Sequence, residues 1–181
     1  VRGNLAYYEE SFQFVLEIST GSTIEFRGKA RSEMIDAPPL DRAALEREIR
    51  DATEGLENVT VKSGEEGVTI TIENIQFEAD SARLRPEELS KLSRIADILK
   101  RYPDRDILVA GHTALAGTAE GRRKLSVERA AAVADRLIRL GARAADRVVV
   151  RGYGAERPLA PNTTEANKAR NRRVEITILE N

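Results

Sequence analysis

The chain has 181 residues, of which 41% are apolar, and this is long enough for one domain of ordinary size with an additional element. Its 29 basic side chains nearly balance 30 acidic ones, so no overall field attracts it to nucleic acid or to an anionic membrane. It has no cysteine and a single histidine, which excludes disulfides, thiolate metal sites, cysteine nucleophiles and a multi-histidine metal centre.

The sequence shows neither a stretch that predicts a transmembrane helix nor the pattern of a signal peptide. No apolar run reaches the length of about 18 residues that a membrane-spanning helix needs, and the start of the chain lacks the pattern of a signal peptide. Because the chain opens on Val1, we expect a fragment or a processed form, with any targeting or anchoring sequence upstream.

The N-terminal region is predicted to be a β-hairpin. The stretches SFQFVLEIST and STIEFRGKAR alternate apolar and polar residues on either side of Gly21. A hairpin alone is marginal in water, so we expect residues 1–38 to be part of a domain that continues upstream. The boundary with the next domain is predicted near Pro38 and Pro39.

Residues 39–181 are predicted to form an α+β domain with two layers, in which helices pack on a small mixed β-sheet. LDRAALEREIRDATEGL predicts a helix, NVTVKSGEEGVTITIENIQF two strands, PEELSKLSRIADILKRY a second helix and DILVAGH a buried strand. The third helix is predicted to start between Thr118 and Ser126 and to end at Gly141. RVVVRGYG then predicts a strand, NTTEANKARN a turn or short helix, and RRVEITILE the last strand.

The third predicted helix carries an arginine on its apolar face. At about 100° per residue, the stripe of Val133 and Leu137 extends back to Arg129, then to Ser126 and Arg122. A guanidinium at the edge of a core needs partners, because leaving it buried and unpaired is costly. Two interpretations stay open: a clamp for a carboxylate or phosphate beside a helix N-terminus, or an internal salt bridge.

Neither the histidine nor the serine of this region predicts catalysis. His112 follows a buried strand, where a histidine is more often a hydrogen-bonded packing residue. A triad of Ser126, His112 and Asp104 or Asp106 lacks the nucleophile elbow and glycine motif of acyl transfer. GYG at 152–154 lacks the pattern of a nucleotide-binding loop. We therefore predict no catalytic residue, no metal and no cofactor.

Four separated motifs are more specific: IQFEADSARLRPEELSKLSRIADIL, ILVAGHT, LSVERAAAVADRLIRLGA and VVVRGYGAERPLAPNTTEANKARNRRVEITI. In this order and spacing they resemble the OmpA-like C-terminal domain family, which includes peptidoglycan-associated lipoproteins and flagellar stator proteins. The resemblance covers residues 58–181 most closely and leaves residues 1–38 outside.

The resemblance implies a periplasmic, non-enzymatic module that holds peptidoglycan noncovalently by the diamino acid of its stem peptide. The family motif GHTD corresponds to residues 111–114, and LSxxRA corresponds to residues 125–130. In that pattern the aspartate takes the ammonium of meso-diaminopimelate and the helix arginine, here Arg129, takes its carboxylate. The resemblance therefore favours an anion clamp at Arg129 over an internal salt bridge.

The sequence departs from the family pattern at that site. Ala114 stands where the family has aspartate, and Gly121 and Arg122 stand where it usually has tyrosine and asparagine. Because a charge-assisted hydrogen bond contributes roughly 1.5–3 kcal/mol, the missing aspartate should weaken diaminopimelate binding about ten- to hundredfold. Arg122 adds repulsion toward an ammonium.

Three functional hypotheses follow for the pocket. In the first, the pocket binds a stem peptide of altered chemistry, whose third residue need not be diaminopimelate. In the second, the pocket is degenerate and the domain is a structural or protein-binding part of an envelope protein. In the third, Arg129 and Arg122 favour a purely anionic ligand. The predicted pocket residues are Asp80, Thr113, Ala114, Arg122, Ser126, Arg129, Arg172 and Arg173.

Two of these predictions have purely structural alternatives. Asp80 could cap its own loop, and Arg172 and Arg173 alternate along a predicted strand, so at most one is expected to face the pocket.

The predicted partners are peptidoglycan and envelope proteins, with no nucleic acid. The predicted location is the periplasm, at the outer membrane through sequence outside this chain.

Overall fold

The computed structural model describes residues 6–17, 23–34, 40–77 and 83–180. The chain divides into two units, residues 1–38 and 39–181. The turn at Gly21 and the boundary at Pro38 and Pro39 lie outside the described residues.

The N-terminal unit contains two antiparallel strands, β1 (Ala6–Glu17) and β2 (Thr23–Met34). Their register places Phe14 opposite Phe26. Both strands have 12 residues, so the hairpin starts earlier and ends later than the alternating stretches of sequence indicate.

The second unit contains four α-helices, a short 3₁₀ helix (Ala145–Arg147) and a five-stranded sheet among its described residues. The helices are α1 (Arg42–Ala52), α2 (Pro86–Leu99), α3 (Ala119–Arg139) and α4 (Glu165–Asn171). The strands are β3 (Val59–Gly64), β4 (Gly67–Glu73), β5 (Ile107–Gly111), β6 (Val148–Gly152) and β7 (Arg173–Leu179). They lie in the order β3-β4-β7-β5-β6, and only β5 and β6 run parallel. The predicted α+β architecture with a mixed sheet is confirmed.

Local signals in the sequence explain where the helices begin and end. The side chain of Asp41 accepts a hydrogen bond from the Ala44 amide at 2.9 Å and caps α1, and Pro86 opens α2. Thr118 caps α3 by accepting from the amide of Gly121 at 3.1 Å. Gly141 follows the end of α3 with φ of 71°, a left-handed conformation that glycine adopts without strain.

The core lies between one face of the sheet and helices α1 to α3. Alternate residues of β7 point to opposite faces, so Val174, Ile176 and Ile178 join the core while Glu175 and Thr177 lie on the other face. Burial of such side chains, at about 25 cal/mol per Å² of apolar surface, is the main stabilising term of a fold of this kind.

None of the described helices combines the length and the apolar composition that crossing a membrane requires.

Candidate ligand-binding site

A pocket of about 380 Å³ lies where the loop after β5 meets α3 and α4. Five of the eight predicted residues line it: Thr113, Ala114, Arg122, Arg129 and Arg172. Glu165 and Lys168 of α4 also line the pocket, although sequence reasoning did not identify them. Asp80 lies outside the described residues.

Two glycines allow α3 to cross the strand ends beside the pocket. A Cβ on Gly111 would lie 2.0 Å from the carbonyl oxygen of Ser126, and a Cβ on Gly152 would lie 2.5 Å from its Oγ. Because neither residue has a side chain, the backbone of α3 rests against the sheet at Ser126. This contact fixes the positions of Arg122 and Arg129, about one helical turn before and after it.

Ser126 is buried beneath the pocket rather than lining it. Its Oγ donates to the carbonyl of Arg123 at 2.7 Å and accepts from the amide of Gly154 at 3.0 Å. The hydroxyl thereby ties α3 to the loop after β6. No hydrogen bond joins Ser126 to His112, whose Nε2 lies 3.2 Å from Glu175 and whose buried Nδ1 has no hydrogen-bond partner among the described residues.

Arg129 is half-buried and has no ion-pair partner among the described residues. Its guanidinium lies over the ring of Phe77, 4.8 Å from the ring centroid, and its buried Nε has no hydrogen-bond partner. Burial lowers the pKa of Arg129, and the neighbouring charge of Arg172 lowers it further. An anion in the pocket would offset both effects. The internal salt bridge considered for this arginine is not found within the described part of the chain.

The other cations of the pocket differ in how they are held. Arg122 donates from Nη1 to the carbonyl of Gly117. Arg172 forms an ion pair with Glu165 at 2.7 Å. With Lys168, the described lining therefore carries four basic side chains and one acidic one. Its net positive charge suits an anionic group.

The loop after β5 is held by hydrogen bonds from both sides. The amide of Thr113 donates to the carbonyl of Gly154 at 2.8 Å, and the amide of Leu115 donates to Oδ1 of Asn162 at 2.9 Å. Between them, Ala114 is only 7% exposed and presents a methyl group where a carboxylate would mark the family pattern. The Oγ1 of Thr113 is buried without a hydrogen-bond partner, so the pocket wall retains an unused polar atom.

Asn171, which sequence reasoning missed, organises the opposite wall. It is fully buried, accepts from the amides of Leu159 and Ala160, and donates to Oδ1 of Asn162 at 3.1 Å. Asn162 in turn holds Leu115. The end of α4 is therefore linked by side-chain hydrogen bonds to the loop after β5. The only signal in the sequence was the density of asparagine in NTTEANKARN.

Arg173 lies outside the pocket, in a buried polar cluster. Its Nε donates to Glu175 at 2.7 Å and its Nη2 donates to the carbonyl of Arg157 at 2.9 Å. His112 lies 3.2 Å from the other carboxylate oxygen of Glu175 and stacks on Tyr153 at 5.3 Å between ring centroids. This arrangement agrees with the expectation that His112 is a packing residue.

Comparison with known proteins identifies the family of this chain. The model of the OmpA family matches residues 76–172. Escherichia coli (strain K12) probable lipoprotein YiaD is 36% identical over 133 residues, which are 74% of this chain and 60% of YiaD. Mycobacterium tuberculosis (strain H37Rv) peptidoglycan-binding protein ArfA is 39% identical over 104 residues, which are 58% of this chain and 32% of ArfA.

A solved structure shows the same fold. The cell wall anchor of the T6SS from Pseudomonas aeruginosa is 34% identical, with a TM-score of 0.65 over 78% of this chain and 100% of that one. The family resemblance predicted from the separated motifs is confirmed.

Proposed function

Because this chain belongs to the OmpA family, we propose that residues 39–181 form a non-enzymatic module that holds peptidoglycan noncovalently. The observation that carries the proposal is Arg129, which is half-buried at the pocket with no carboxylate partner among the described residues. A guanidinium kept in that state is costly unless it has an external acceptor. ArfA is named as a peptidoglycan-binding protein and the T6SS structure is of a cell wall anchor, which supports this ligand class.

In the proposed complex, the charge and the planar shape of a guanidinium hold the stem peptide. A carboxylate of the stem peptide lies against Arg129, whose planar fork can bind both oxygens of one carboxylate. Arg122 adds positive charge from the first turn of α3, and Thr113 also lines the pocket. A hydrogen bond to a charged group contributes roughly 1.5–3 kcal/mol.

Binding of diaminopimelate through its ammonium is weakened in this proposal. Ala114 supplies no carboxylate, and Glu165, the one acidic side chain of the described lining, is engaged by Arg172 at 2.7 Å. These two features also favour a second candidate, in which the pocket is degenerate and the domain serves as a structural or partner-binding part of an envelope protein. The proposed location is the periplasm, with association to the outer membrane through other sequence.

Co-sedimentation with purified peptidoglycan tests the proposal. Walls of the diaminopimelate type and of a type without it are mixed with the native chain, Ala114→Asp and Arg129→Ala, with Arg50→Ala as control because Arg50 is exposed on α1. We expect the native chain and the control to pellet, and Arg129→Ala to lose about tenfold or more in affinity. We expect Ala114→Asp to pellet more strongly with the diaminopimelate wall.

One result would favour the second candidate. If only Ala114→Asp pellets, the fold is intact but the native pocket no longer holds a wall peptide. Release of soluble fragments from either wall would contradict the non-enzymatic part of the proposal.

A further inference from the structure

We infer that this pocket selects a carboxylate whose neighbouring amine is acylated, and discriminates against a free amino acid zwitterion. Such a group occurs at the C-terminus of a peptide and at a diamino acid whose side-chain amine has been cross-linked. The inference rests on the proposed function, since it specifies which ends of a wall peptide the pocket accepts. Acylation replaces an ammonium by an uncharged amide and leaves the carboxylate in place.

The charges of the described lining disfavour an ammonium. This lining has Arg122, Arg129, Lys168 and Arg172 against the single acid Glu165. An ammonium bound beside the Arg129 carboxylate site would therefore meet mostly like charges there, and the one acid of that lining is already paired with Arg172. An amide at the same place carries no net charge and avoids this repulsion.

Glu165 does not replace the missing aspartate. Its side chain is 73% exposed and its carboxylate binds Arg172, whereas Ala114 is only 7% exposed. The acid is thus at the solvent-exposed rim, while the residue in the aspartate position is buried. An ammonium drawn to Glu165 would also have to displace the existing ion pair.

Two side chains of the pocket match the two halves of an N-acylated amino acid. The half-buried guanidinium of Arg129 has no ion-pair partner among the described residues and can donate to the carboxylate. Thr113 lines the pocket, and its hydroxyl, which is buried without a hydrogen-bond partner, reaches the amide of the acylated amine only after its side chain rotates. The methyl of Ala114, next to Thr113, provides an apolar contact for the acyl group.

Titration of the full chain with matched probe pairs, followed by NMR chemical shifts, tests the inference. One pair is D-alanine and N-acetyl-D-alanine, and the other is meso-diaminopimelate and its derivative acetylated on one amine. We expect the acetylated member of each pair to bind about tenfold or more tightly, a difference of about 1.4 kcal/mol. Arg129→Ala should abolish the binding, Ala114→Asp should reverse the preference, and Arg50→Ala should change neither.

The two probe pairs also separate the two sources of such a group. Equal affinity for both acetylated probes indicates recognition of any peptide C-terminus. Tighter binding of acetylated diaminopimelate indicates recognition of a cross-linked diamino acid. Either result supports the inference, provided that the free amines bind more weakly.

Binding of the free amines as tightly as the acetylated probes would overturn the inference. Loss of that binding in Asp80→Asn would then identify the carboxylate that accepts the ammonium. If no probe binds while Arg129-dependent pelleting with the wall persists, the inference is wrong and the proposed function stands. If the acetylated probes bind but the chain does not pellet with any wall, the wall-binding function is wrong and the ligand preference stands.

Discussion

Glu175 shows how a partly buried carboxylate is kept charged on the face of the sheet opposite the core. Burial alone would raise its pKa, but the hydrogen bond from His112 and the positive charges of His112 and Arg173 outweigh it and lower the pKa to about 2. The cluster therefore couples the loop that precedes Thr113 to β7. The contribution of this cluster to the stability of the fold depends on the ionised form of Glu175.

We predict that Glu175 stabilises the fold at neutral pH and loses this effect in acid. Its folded-state pKa of about 2 lies below its usual value of 4.5, so the contribution is complete above pH 4.5 and disappears as the pH falls toward 2. The pKa difference corresponds to at most about 3 kcal/mol. Urea denaturation of the native chain and of Glu175→Gln at several pH values between 7 and 2 measures it.

The control for this prediction is Glu57→Gln, which changes an exposed glutamate. We expect the stability difference between the native chain and Glu175→Gln to shrink as the pH falls, and the control to show no such trend. A difference that stays constant across the whole range would contradict the prediction.

At the residue scale, the sequence predicted which residues lie at the pocket better than it predicted which residues bond to one another. The motif resemblance selected Arg129 and Thr113, which the structure places at one pocket. It could not predict that Glu175 binds His112, because 63 positions separate them and only the pairing of β5 with β7 brings them together. The ion pair of Arg172 with Glu165 and the hydrogen bonds of Asn171 were missed for a local reason, because they depend on α4, and the sequence did not distinguish a short helix from a turn there.

At the scale of elements, the contact between α3 and the strand ends depends on the absence of two side chains. We predict that Gly111→Ala destabilises the fold by about 1–3 kcal/mol, because the new methyl must displace the backbone of α3 at Ser126. Gly152→Ala should act in the same direction, since its Cβ meets the Oγ of Ser126 and the amide of Val127. Both variants should also weaken any binding that depends on Arg129.

Gly64→Ala is the matched control for these substitutions. Gly64 lies in β3, where a Cβ would meet only the carbonyl oxygen of Gly67 at 3.9 Å, an ordinary contact. Thermal unfolding compares the three variants. A destabilisation of Gly64→Ala equal to that of Gly111→Ala would show that the effect is a general one of glycine replacement, not of the helix contact.

Sequence periodicity predicted the type of most elements but not every boundary or the sheet order. The start of α3 was left open between Thr118 and Ser126 because the polar run after Gly117 shows no apolar stripe, and the cap at Thr118 decides it. The order β3-β4-β7-β5-β6 inserts the last strand into the middle of the sheet. Local patterns carry no information on such long-range pairing.

At the scale of the whole molecule, the question is which part of the chain folds and binds independently. The buried hydrophobic cluster of the described residues begins at Leu45 and ends at Ile178. The family match, residues 76–172, lies within the same unit of 39–181. Every described residue that lines the pocket also belongs to this unit.

We predict that residues 39–181, expressed alone, fold cooperatively and keep the ligand site. Removing residues 1–38 deletes no member of the described hydrophobic cluster and no described pocket residue, so the unfolding midpoint should match that of the second unit in the full chain. Calorimetry measures the midpoint, and co-sedimentation with peptidoglycan measures the binding. A lower midpoint would show that the hairpin stabilises the second unit, and an unchanged midpoint with lost pelleting would show that residues 1–38 take part in binding the wall.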